Sequence, residues 1–195
     1  MFANQVGVFG GIVVLSFLPL FCLAASLPDY PARQVGDCAV STEKAGFAVG
    51  VQPVEDLKEQ ETYFHAQLAR RGFIPVFIVM RNGSNGESFL FNKTEIAYGP
   101  ADSNLLPTPN LSTGSAKFLL LGGGVLGMMA VRDASQVQEN ILKQELQSKT
   151  LSPGGSAHGF LYIPVPKNAP RQKIRLRVPI TRADTGETFV LDLVF

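Results

Sequence analysis

Tryptophan is absent from this chain, histidine and cysteine occur twice each, and charge is thin, with 17 Lys and Arg against 16 Asp and Glu. His65 and His158 are the two histidines, and neither Cys-x-x-Cys nor His-x-x-x-His occurs, so a transition-metal site lacks ligands and no metal or other cofactor is expected. The +1 balance gives no overall pull toward nucleic acid. Charged residues make up 17%, well under the roughly 25% of an average soluble domain. Disorder and coiled coil are thereby excluded. What is abundant points elsewhere: 19 Gly, 13 Pro and 14 Phe suit short strands joined by many turns.

Residues 6–25, VGVFGGIVVLSFLPLFCLAA, form a nearly unbroken apolar run. Small residues at Leu23-Ala24-Ala25-Ser26 supply a cleavage site, so residues 1–25 read as a secretory signal peptide. At about 20 residues the run also has the length of an uncleaved signal-anchor helix. Phe21 precedes Cys22 where lipoprotein processing wants a small residue, so covalent lipidation is not expected. Cleavage leaves Cys38 alone, and the fold must hold without an internal disulfide. Residues 26–45 read as a linker and 46–195 as one domain.

Within that domain, GFAVGVQPV from Gly46 alternates as a first strand, closed by Pro53. Val54, Leu57, Phe64 and Leu68 fall on one stripe of a helix over 54–71 stopped by Gly72. FIPVFIVM (73–80) is a continuous apolar run, which predicts a strand covered on both faces at the centre of the core. The Asn-Gly-rich turn after it predicts a hairpin to SFLFNKTEIAY (88–98). Residues 99–115 read as a long loop and 118–131 as an apolar Gly-rich insert. From Asp133, with Gln136 three residues on, a capping box opens a polar, peripheral helix to about Ser148. GFLYIPVP (159–166), KIRLRVPIT (173–181) and ETFVLDLVF (187–195) return to strand, the last two as a hairpin. Pro75, Pro164, Pro166 and Pro179 each remove a ladder donor, which predicts edge strands or bulges. The expected class is mainly β: an antiparallel immunoglobulin-like β-sandwich with two added helices, preceded by the signal or anchor helix.

Three segments carry candidate contacts. FLLLGGGVLGMMAV (118–131) contains Gly123 and Gly127 in the GxxxG spacing that lets helices approach closely in lipid. Phe118, Leu119, Leu120, Gly123, Gly127, Met128 and Met129 are therefore the candidate membrane-contact residues, with burial beneath the sandwich as the alternative. The same glycines, Gly122 to Gly127, match G-x-G-x-x-G, but the surrounding hairpins are not a Rossmann βαβ context, and no Lys-Ser/Thr follows to make a P-loop. Lys173, Arg175 and Arg177 share one strand face and are the candidate anionic-surface contact. A charge-protected edge strand is the plainer reading. Ser156 and His158 sit in GGSAHG, which lacks the G-x-S-x-G spacing, so no catalytic residue is expected; His65 reads as a half-buried, hydrogen-bonded histidine.

The motifs GFAVGVQPV, Tyr63-Phe64 ahead of Arg71-Gly72, FIPVFIVMRNGS and LSPGGSAHGFLYIPV resemble those of uncharacterised bacterial cell-envelope proteins, often lipoproteins, with an immunoglobulin-like domain. The resemblance covers roughly residues 46–195 and implies a fold, not a chemistry. The resulting expectation is a non-enzymatic exported envelope protein with a structural or interaction role, associated with a membrane, with no nucleic acid and no metal among its partners and a protein partner left unidentified. The alternatives are a nucleotide or small-ligand binder or enzyme using Gly122–Gly127 or the Ser156/His158 loop, and a soluble periplasmic adaptor acting by strand addition.

Overall fold

Large and small residues alternate in GFAVGVQPV, so one strand face carries Phe47, Val49 and Val51 and the other Ala48 and Gly50. That division organises the molecule. The computed structural model describes residues 28–109, 131–165 and 172–195, excluding the side chains of 131–136. In chain order its elements are β1 (Val40–Lys44), β2 (Phe47–Pro53), α1 (Leu57–Phe64), β3 (Phe73–Asn82), β4 (Phe89–Phe91), β5 (Ala97–Pro100), β6 (Leu106–Pro107), α2 (Val131–Gln144), β7 (Lys149–Leu151), β8 (Ser156–Pro164), β9 (Ile174–Arg182) and β10 (Thr188–Val194). The fold is mainly β and sandwich-like. One sheet runs β1-β2-β3-β8, and the other is built on β9, with β10 along one edge and β4 and β5 in succession along the other.

Phe47, Val49 and Val51 meet Val76, Ile78 and Met80 of β3, Leu161 and Ile163 of β8, and Leu176, Val178 and Ile180 of β9 between the sheets. A second layer lies on the outer face of the first sheet, where Phe73, Phe77 and Val79 pack with Phe64, Leu68, Val137 and Ile141. β3 is therefore covered on both faces, as its unbroken apolar run predicts. At about 1.5–3 kcal/mol for each buried large side chain, these two layers are the main stabilising term. The helix Val131–Gln144 is not peripheral, because Val137 and Ile141 are buried and the Tyr162 hydroxyl donates to the Ile141 carbonyl at 3.1 Å. Asp133 is its third residue rather than its cap.

The first helix is shorter than its apolar stripe. The Asp56 carboxylate accepts from the Lys58 and Glu59 N–H groups at its start, and His65 closes it in the left-handed region at φ 49°. His65 is exposed there, not half-buried. The chain resumes in a 3-10 turn, Leu68–Arg71, ended by Gly72 at φ 86°. Buried Gln60 spans the break by donating to the Val54 carbonyl at 2.7 Å and accepting from the Ala69 N–H at 2.9 Å.

The expected hairpin between 73–80 and 88–98 does not form. β3 pairs with β2 and β8, while β4 pairs with β7 and β9 in the other sheet. Buried Asn82 redirects the chain: its amide donates to the carbonyls of Glu87 and Leu151 and its oxygen accepts from the Ser84 N–H and hydroxyl. Pro164 lies on β8, the end strand of its sheet, as expected, and Pro166 is outside the described residues, but Pro75 and Pro179 do not mark edges. The Pro75 carbonyl accepts from Val54 N–H, so its missing donor points past the end of β2. Pro179 faces the gap on β9 between the residues paired with β4 and those paired with β5. Both are central strands that lose no ladder bond.

Residues 26–45 were expected to link, yet the described part packs. The Tyr30 ring lies 4.7 Å from Phe77 and 5.0 Å from both Tyr63 and Phe160, and its hydroxyl donates to Glu59 at 3.0 Å. Val40–Lys44 pairs with β2 as β1. Burial, followed by the Glu59 carboxylate, pushes the Tyr30 phenol up to about 12. Below pH 10 the phenol is neutral in folded and unfolded chains alike; between pH 10 and about 12 only the unfolded chain ionises, so stability is lost across that window. In an absorbance titration at 295 nm the Tyr30 step is expected near pH 12 and moves down in Glu59→Gln; an ordinary tyrosine step for Tyr30 would contradict the docked arm.

Candidate functional site

Small residues on the outer face of the first sheet leave room at one end of it. Gly50 lies under the 3-10 turn Val35–Asp37: a Cβ there would stand 2.7 Å from Cys38 Sγ and 2.8 Å from the Val35 carbonyl oxygen. The turn thus seats on the sheet and becomes a wall. Beyond it, the strand register sets two rows across the four strands, Ser41–Gly50–Val79–His158 and Glu43–Ala48–Arg81–Ser156. The result is an open groove of about 930 Å³ with Arg33 on its wall.

The far end is fixed by the turn between β7 and β8. Asn82 N–H donates to the Gly155 carbonyl at 2.9 Å, and Gly154 N–H, in a residue at φ 75°, donates back to the Asn82 carbonyl at 2.9 Å. The same asparagine that turns the chain between sheets therefore also holds the groove. Its floor is strand backbone, the rigid support that a binding site needs.

Electrostatically the groove is positive. Arg33 lies over the Tyr30 ring at 5.8 Å with its Nε buried and unbonded, and neither Arg33 nor Arg81 has an ion-pair partner among the described residues. Exposed His158, 5.8 Å from the Phe77 ring, adds a titratable group, and Glu43 is the opposing carboxylate of the lining. Ser156 and His158 stand on β8, not in a loop, two residues apart on one face. Glu43 is three strands from Ser156, roughly 14 Å at the spacing of paired strands. A serine, histidine and carboxylate relay is out of reach at that distance.

The cations picked out by sequence are differently placed. Arg175 and Arg177 converge on Asp192, at 3.0 and 3.4 Å. Hydrogen bonding and charge from Arg175, joined by Arg177, hold the Asp192 carboxyl below its usual range. Lys173 lies just before β9 and is exposed. β9 is flanked by strands on both sides, so the edge-strand explanation for this row fails; it is the solvent face of a central strand. Phe118, Leu119, Leu120, Gly123, Gly127, Met128 and Met129, the Gly122–Gly127 motif, residues 1–25 and the 110–115 part of the long loop lie outside the described residues. Among the described residues no helix is long and apolar enough to cross a membrane, and no group of three metal-ligating side chains occurs.

Arg33 and Arg81 are the residues that sequence reasoning passed over. Arg33 falls in the supposed linker, and Arg81 reads as the first residue of the turn cluster after the apolar strand. The signal available was the small outer face of β2, Ala48 and Gly50, since a strand face without side chains invites another group to approach. The chain matches no protein-family model and no curated protein.

Proposed function

We propose that this chain is an exported, non-enzymatic protein of the bacterial cell envelope, with an immunoglobulin-like sandwich of the kind its motifs resemble, that works by binding. The observation that carries the reading is the groove, which offers two arginines without acidic partners among the described residues on a strand-backed floor. Its volume lies within the range of small-ligand sites. Ser156 and His158 take part as hydrogen-bonding groups, because no carboxylate of the lining is near enough to complete a relay. Strand addition is disfavoured at β8, whose outer edge is already occupied where Leu146 N–H donates to the Phe160 carbonyl at 2.9 Å. The membrane association is provided by the apolar run 6–25 if it stays uncleaved, or by 118–131.

Fractionation of bacteria producing the full chain, with alkaline extraction of membranes and an intact mass, tests the placement. The expected product is in the envelope fraction, either cut near Ala25 or whole and resistant to extraction. An uncut product in the cytosol overturns it.

A further inference from the structure

We infer that the groove at the end of the first sheet binds a phosphate oxyanion, carried either by a soluble phosphate ester or by a phospholipid headgroup. The inference rests on the reading of the groove as a binding site and adds the class of its ligand. Three observations converge. Arg33 and Arg81 line one groove and neither is neutralised among the described residues, whereas Arg175 and Arg177 share Asp192 and Arg182 has Glu87 and Glu187. A guanidinium offers a planar fork of donors that matches phosphate oxygens, and it is always charged. The hydroxyl of Ser156 stands directly across from Arg81 on the neighbouring strand, two residues from His158, and can donate to the same group.

Position also matters. Arg33 is held by the Tyr30 ring, and its buried Nε has no acceptor among the described residues, so a ligand oxygen would meet a side chain already ordered. Glu43 is the one acidic side chain of the lining and works against an anion, which makes it a test in the opposite direction. The row Lys173, Arg175 and Arg177, the expected contact for an anionic surface, is the weaker candidate because its two arginines are already paired.

The full chain in neutral detergent micelles is titrated with inorganic phosphate, following backbone amide shifts. The expected result is saturable movement at Arg33, Arg81 and Ser156, weakened by roughly tenfold or more in Arg33→Gln/Arg81→Gln and unaffected in Arg175→Gln/Arg177→Gln. Glu43→Gln is expected to tighten binding, which tests the idea even where the double arginine variant folds poorly. Vesicles then separate the sources: weaker binding of the Arg33/Arg81 variant than of the parent to phosphatidylglycerol or phosphatidylcholine vesicles supports a headgroup, and unchanged binding to both supports a soluble ester. Groove shifts with glucose but none with phosphate would overturn the ligand class and leave the binding reading standing; no groove shifts with either probe would remove both.

Discussion

Replacing Lys93 by methionine is expected to lower the unfolding free energy by about 3–5 kcal/mol, the cost of leaving a buried charge without its partner. Lys93 Nζ and Glu145 Oε2 lie 3.0 Å apart with side chains 6% and 3% exposed. Lys93 opens the 3-10 turn between β4 and β5, and Glu145 immediately follows α2, so the pair ties the second sheet to the helix that covers the first. Backbone bonds reinforce the junction: Lys93 N–H donates to the Ser148 hydroxyl at 2.9 Å, and the Lys93 carbonyl accepts from the Thr108 hydroxyl at 3.1 Å. For a chain of this size the loss corresponds to a fall in Tm of roughly 10 °C. Lys93→Met/Glu145→Leu is expected to recover most of it, because removing both charges also removes the desolvation cost. Thermal melts of the two single variants and the double close the cycle. Additive losses would show that the pair is not coupled.

Gly159→Ala is expected to be the most damaging change at any of the described glycines. Its Cβ would stand 2.6 Å from Leu146 Cα and 2.7 Å from Leu146 N, both backbone atoms that cannot rotate away. Relief requires moving residues 145–146 off β8, which breaks the bond from Leu146 N–H to the Phe160 carbonyl and disturbs Glu145 beside it. The expected loss is about 3 kcal/mol, at the upper end for overpacking. Gly36→Ala is the control, since nothing lies within 4 Å of its Cβ position, and should stay within about 0.5 kcal/mol of the parent. Equal stability of the two variants in urea would refute the close seam between β8 and the end of α2.

The strands were legible where periodicity was strong. The unbroken 73–80 run signalled a strand covered twice, and strict alternation in 173–181 and 187–195 signalled the terminal hairpin. Pairing across the sandwich was not legible. Asn82-Gly83 looks like a hairpin turn from local chemistry alone, and only its contacts with Leu151, far along the chain, reveal a crossover between sheets. The second helix reads as peripheral from sequence because, among its described side chains, Val137 and Ile141 alone bury deeply, with Leu142 at the margin.

The site was half visible. Ser156 and His158 stood out as rare chemistry, although their placement on a strand beside Arg81 depends on the β3–β8 register, which no local pattern encodes. Arg33 became a candidate only once Tyr30 and Gly50 were seen to dock the arm that carries it. Conversely, Arg175 and Arg177 looked like a free basic row until the hairpin register brought Asp192 opposite Arg177.

The most direct test of the groove as the binding site is anomalous diffraction from crystals of the protein soaked in tungstate, a heavy oxyanion of phosphate-like charge and shape. The account predicts a tungsten peak within hydrogen-bonding reach of Arg33 and Arg81, lost in Arg33→Gln/Arg81→Gln. A peak at Arg175 and Arg177 with the groove empty would contradict it.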